Sequence, residues 1–114
     1  MSTFKLWQVH LTDEEIYVIN KRGHGAVEKH RLHLDIQFKE TTMWSIDKMF
    51  SKKYFTHVAN IEANNLEDVF KIGNIGPEEN ITRLAPMHSV SVGDIIEDEN
   101  GNRHVVSNFG FESI

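Results

Sequence analysis

Val90-Ser91-Val92-Gly93-Asp94-Ile95-Ile96-Glu97-Asp98-Glu99-Asn100-Gly101-Asn102-Arg103-His104-Val105-Val106 is the stretch whose reading decides the fold. Asn100-Gly101 supplies two positions that tolerate left-handed backbone, as the tightest hairpin turns require. A strand ending near Glu99 is therefore expected to fold back on one that carries His104, Val105 and Val106. Phe109-Gly110-Phe111 then leads into a last short strand. Upstream, Gly93 permits a left-handed residue before the first strand, Ser89 and Ser91 can bond nearby backbone, and Asp94 can accept N–H bonds from the turn.

Working outward, Gly76-Pro77 reads as a turn, and residues 80–87 as irregular chain or a short helical turn. Asn65 suits the N-cap of a helix with Glu67 and Asp68 in its first turn, Leu66, Val69 and Phe70 inward, and Gly73 at its end. Tyr54 to Ala63, rich in aromatic and β-branched residues, reads as a strand. Before it, Thr41 and Thr42 offer N-caps to a helix with Met43, Ile46, Met49 and Phe50 at helical spacing. Residues 31–38 alternate Leu32, Leu34, Ile36 and Phe38 with polar partners, the period of a half-buried strand. Thr12 and Glu15 form a capping box; Lys21 and Arg22 suit the last turn of that helix, and Gly23 its left-handed stop. Phe4 to Leu11 reads as the first strand.

Strict alternation of strand and helix would suggest a parallel doubly wound sheet. The closing hairpin and the short elements point instead to α+β: a curved, mostly antiparallel sheet with two or three short helices. A small SH3-like or Sm-like barrel is a variant of it. With 114 residues and no linker or repeat, a single domain spanning 1–114 is expected.

The 39% hydrophobic content is enough for a core, and the absence of cysteine removes disulfides, thiolate metal sites and a Cys nucleophile. No apolar run approaches the roughly 20 residues of a membrane span, and the first residues lack the pattern of a signal peptide. The cytoplasm, the host's if the chain is phage-encoded, is the expected location, so the glycosylation triplet Asn80-Ile81-Thr82 reads as accidental. Net charge divides unevenly: residues 1–57 carry 9 Lys/Arg and 7 Asp/Glu, whereas residues 58–114 carry 3 and 10. Overall acidity argues against general nucleic-acid binding, which draws on Lys and Arg at phosphates.

His24, His30 and His33 lie close in sequence, but on a strand His30 and His33 would face opposite sides, and no Cys completes a metal site. They read as solvated histidines of a polar face, or, beside Lys29 and Arg31, as a pH-sensitive basic patch. His88, Ser89, Ser91 and Asp94 have the residue types of a nucleophilic triad, yet neighbours in one turn rarely align as nucleophile, base and orienter. Glu97-Asp98-Glu99 lacks calcium-loop spacing, and Gly73 to Pro77 lacks a phosphate-binding ending. No catalytic residue, metal or cofactor is expected. Trp7, Trp44, Tyr54 and Phe55 read as core or interface, with a homodimer as one outlet.

Leu66-Glu67-Asp68-Val69-Phe70, Asn74, Pro77, His88 to Ile96 and Asn108-Phe109-Gly110-Phe111 together resemble the YodL-like domain of plasmids, conjugative elements and phages. The resemblance covers residues 66–111. It departs where the family shows Tyr-Val-Asp and this chain has Val106-Ser107-Asn108. The chain as a whole is also similar to short uncharacterised proteins of marine cyanophages. The resemblance implies a mobile-element setting and no activity.

The expectation is thus a non-enzymatic accessory protein that binds a host or viral protein. Its candidate contact residues are His88, Ser89, Ser91, Asp94, Phe109 and Phe111. The alternative is a nucleic-acid module using Lys21, Arg22, Lys29 and Arg31 of segment 21–33; a small hydrolase or metal enzyme stands third.

Overall fold

The computed structural model describes residues 1–38, 43–108 and 110–114, so the proposed caps Thr41 and Thr42 and the contact residue Phe109 lie outside the described residues. The fold is α+β. Its strands are β1 (Ser2–Val9), β2 (Phe55–Ala63), β3 (Ile81–Arg83), β4 (Ile95–Glu97), β5 (Arg103–Ser107) and β6 (Gly110–Ser113). Its helices are α1 (Asp13–Arg22), α2 (Glu28–Phe38), α3 (Met43–Ser51) and α4 (Leu66–Asn74), with a short 3-10 turn at Glu78–Asn80. The chain divides into two compact units, one formed by 1–8 and 56–114, the other by 9–55.

The first unit is built on a six-stranded sheet in the order β3-β2-β1-β4-β5-β6. Pairing is antiparallel at β2–β3, β1–β4, β4–β5 and β5–β6. β3 and β6 end the order, so the sheet is open and the barrel variant is not adopted. Phe4 and Leu6 of β1, Val58, Ala59, Ile61 and Ala63 of β2, Ile96 and Val106 form one buried cluster with Val69 and Ile72 of α4. Ile95 and Val105, next to Ile96 and Val106 along their strands, are buried as well, so the hairpin is apolar on both faces. The turn between its strands has Gly101 at φ 83, and Asp98 accepts the amides of Asn100 and Asn102. That is the hairpin expected from Asn100-Gly101.

α4 starts as expected, with the Asn65 side chain accepting from the Asp68 amide at 2.8 Å. Its end differs. Gly73 lies inside the helix, and Gly76, at φ 108, follows its close. Gly73 is there because Val90 packs against it: a Cβ at position 73 would stand 2.2 Å from Val90 Cγ2. The inward stripe is Leu66, partly buried, with Val69 and Ile72, and Phe70 is 40% exposed.

The second unit is helical. The Thr12–Glu15 capping box opens α1, and Gly23, at φ 96, closes it by donating to the Ile19 carbonyl. Residues 31–38 belong to α2, which corrects the strand reading. Leu32 and Ile36 are i, i+4 neighbours and turn to one buried side, while Phe38 is 78% exposed. In α3, Ile46 and Met49 are buried and Trp44 is exposed, with Lys48 Nζ 4.9 Å from its ring centre. Glu28 at the start of α2 ties the unit together. It accepts from Lys52 and from the Tyr54 hydroxyl (2.9 Å), and Lys48 lies 3.5 Å away. The Lys52 hydrogen bond first, and that from Tyr54 second, hold its carboxyl down at about 2.

Gly73→Ala tests the α4–Val90 contact. An exposed helical Gly→Ala change gains about 1 kcal/mol in propensity, but overpacking here should cost about 1–3 kcal/mol net in urea unfolding. Val90→Ala in the same chain should recover part of that loss. A stabilised Gly73→Ala protein would show that the contact is not tight.

Candidate functional site

The loop from Met87 to Asp94 contains four of the six contact residues expected from sequence, and its geometry is set by a residue that was not among them. β1 alternates Phe4, Leu6 and Gln8 at inward positions, and Gln8 is fully buried. Its side-chain amide acts as an artificial strand partner for the loop. Oε1 accepts the His88 N–H at 3.1 Å, and Nε2 donates to the His88 carbonyl at 2.9 Å. Nε2 also donates to Asp94 Oδ2 at 3.0 Å, and His88 Nδ1 lies 3.2 Å from it. The sequence signal for this was a polar amide at a core-facing strand position.

Asp94 is buried at the other end of the loop. Its Oδ2 also accepts the Ser91 amide at 2.9 Å, its own amide donates to the Ser91 carbonyl at 3.1 Å, and Gly93 takes φ 93 between them. Thus the turn expected at Ser91–Asp94 forms. The serines take part through their backbone and leave both side chains at the exposed surface. His88 is exposed, and its Nδ1 lies 2.8 Å from the Ser89 carbonyl. Hydrogen bonds of His88 and Asp94 with Gln8 and with backbone fasten the loop.

Asp94 Oδ1 is buried with no hydrogen-bond partner. Burial, opposed by the bonds from Ser91 and Gln8, pushes the carboxyl up to about 6 from its ordinary 3.8.

Phe111 lies elsewhere on the same unit. It stands opposite Val106 in the β5–β6 pair and, with Glu67, Phe70, Val106 and Ser107, lines a cleft of about 310 Å³ between α4 and the end of the sheet. Backbone bonds join it to the loop: the Val106 amide donates to the Asp94 carbonyl at 2.9 Å, and the Gly93 amide to the Val106 carbonyl at 2.9 Å. Among the described residues, Phe70 is the aromatic that sequence reading placed in the core and the structure places on this cleft.

The basic segment 21–33 is largely engaged within its own unit. Lys29 Nζ pairs with Glu15 at 2.8 Å, Arg31 lies 3.6 Å from Glu28, and Lys21 Nζ is 5.7 Å from the Tyr17 ring centre; Arg22 is exposed. His24 Nδ1 and His30 Nε2 are 3.0 Å apart, and burial, followed by the neighbouring His24, lowers the His30 pKa. His33 shares helix α2 with His30, so the opposite-face argument does not apply; its ring meets Phe55 edge-on at 6.5 Å. Among the described residues no three metal-ligating side chains gather, and no helix is long and apolar enough to cross a membrane.

Comparison of the chain with protein-family models, with curated proteins and with solved structures gives no match.

The Asp94 carboxyl gives a signed pH prediction. The folded state holds this proton more tightly than the unfolded state, so the contribution is most favourable below pH 4. It declines as pH rises through 4 to 6 and levels off at a cost of roughly 2–3 kcal/mol. In Asp94→Asn the amide oxygen can keep the bonds from Gln8 and Ser91. Its unfolding free energy relative to the parent should therefore rise by about that amount between pH 4 and 7. A difference that stays flat with pH would mean that no buried charge is present.

Proposed function

We propose that this chain is a non-catalytic accessory protein that works by binding another protein, in the setting of a phage or mobile element. The cleft between α4 and β6 carries the reading. Phe70, 40% exposed, and Phe111 present aromatic surface beside Val106, with Glu67 and Ser107 as a polar rim. Protein interfaces concentrate their binding energy in aromatic side chains seated in apolar depressions with such rims. The loop from His88 to Asp94 supports the same reading. Asp94 and the His88 backbone bond Gln8, and Asn74 of α4 donates to the Val90 carbonyl at 3.1 Å, so the loop acts as scaffold for the neighbouring surface. The mobile-element setting rests on the resemblance of residues 66–111 to the YodL-like domain.

Phe70→Ser tests this without touching the core. A tagged parent chain in lysate of the cells that make it should retain a stoichiometric partner, and the variant should retain it about fivefold less or worse. Thermal melting of the two should agree. No stoichiometric partner on the parent chain would remove the proposal.

A further inference from the structure

Resting on that reading, we propose that the open edge of β6 takes a lysine- or arginine-rich extended segment of the partner as a seventh strand, which lowers an apolar side chain into the Phe70–Phe111 cleft. Three observations converge on this. The first is the direction of the backbone groups. The Ile114 amide donates to the Arg103 carbonyl at 3.0 Å, and the β5–β6 register pairs Val105 with Glu112 and Val106 with Phe111. Hydrogen-bonded and non-bonded pairs alternate in an antiparallel ladder, so Gly110 and Glu112 turn their N–H and C=O groups to β5. Phe111 and Ser113 turn theirs away. β6 is the last strand of the sheet, and among the described residues no strand pairs with its outer side. An incoming strand would meet two donors and two acceptors at the spacing of its own ladder, the mode by which extended peptides join sheet edges.

The second observation is the cleft. It opens beside the same strand, and side chains on alternate residues of an added strand all point to one face. A peptide hydrogen-bonded to Phe111 and Ser113 therefore directs every second side chain toward Phe70, Val106 and Phe111. Native edges are commonly guarded by shortness, charge, proline or a bulge. β6 reads Gly110-Phe111-Glu112-Ser113, with neither a lysine nor a proline, and its one charge, Glu112, disfavours an acidic strand but not a basic one.

The third is charge. The unit that carries β6 holds four cations and ten carboxylates, a balance of −6. Three of those cations are engaged locally: Lys5 and Arg103 with Glu97, and Arg83 with Glu78. Glu67 lines the cleft, and Glu112 lies exposed on β6 itself. A lysine-bearing strand finds complementary charge there; an acidic one is repelled.

The probe is a blocked nine-residue peptide alternating Lys with Val and Phe, compared with its Glu counterpart and with a version N-methylated on alternate residues. Binding is read by amide exchange and by titration of the full chain. The Lys peptide should slow exchange at Phe111 and Ser113 by about tenfold, and N-methylation of the bonding edge should weaken it by about tenfold. Raising salt from about 50 to about 300 mM should weaken it severalfold. Ser113→Pro removes an outward N–H that β5 does not use; measured against Ser113→Ala, which shares its loss of the hydroxyl contact with His104 at 3.3 Å, it should melt alike and bind the peptide about fivefold more weakly.

Equal binding of the Glu peptide would overturn the basic partner. Binding that leaves the Phe111 and Ser113 amides unchanged would overturn strand addition, as would failure of the Lys peptide to bind at about 1 mM. A cellular partner sensitive to Phe70→Ser but indifferent to Ser113→Pro would remove this proposal alone. Absence of any partner would remove the broader reading with it.

Discussion

The amide of Gln8 is the constraint on which the sheet-bearing unit depends. A strand side chain can hold a passing loop only by offering backbone-like groups, and an amide has one acceptor and two donors with which to do so. Gln8 applies them to the amide and carbonyl of His88 and to the carboxylate of Asp94. The loop is thereby fixed at both ends, and β4 leaves it at Ile95 in register with Trp7 of β1. β5 and β6 follow from there, and Asn74 of α4, which donates to the Val90 carbonyl at 3.1 Å, ties the loop to the helix that walls the cleft. A buried polar group without partners costs more than the bond it would have made, so the network holds only as a whole.

Asp94 is the member of that network that is incompletely satisfied. One carboxylate oxygen takes two hydrogen bonds and the other takes none. Burial of such a group opposes ionisation, which explains why its titration shifts upward even though its bonds favour the charge. Both of its bonded neighbours, Gln8 and Ser91, hold the loop in place.

The parts of the fold legible in the sequence are those decided within a few residues. The Thr12–Glu15 capping box, the Gly23 stop, the Asn65 cap and the hairpin at Asn100-Gly101 all rest on local chemistry and all form, the hairpin over a wider loop in which Gly101, and not Asn100, takes positive φ. The misreadings share the opposite property. Leu32 and Ile36 fit a strand's alternation and a helix's i, i+4 face equally well. What favours the helix is partly distant, because Glu28 at its start is held by Lys48, Lys52 and Tyr54. Gly73 looked like a stop because its real reason, Val90, lies far along the chain. One glutamine in an apolar alternation carries no motif, so nothing local in the sequence marks Gln8. Of the candidate residues, sequence alone could not tell that Asp94 is buried beside Gln8 and that Phe111 lines a cleft.

Exchange of the Gln8 side-chain amide protons, followed by NMR in the folded chain, tests this account most directly. If Gln8 anchors the loop, both protons exchange slowly, on the scale of the backbone amides of the central strands, and accelerate only when the protein unfolds globally. Exchange at the rate of a solvent-exposed amide would contradict it, and the loop from His88 to Asp94 would then have to be held in place by something else.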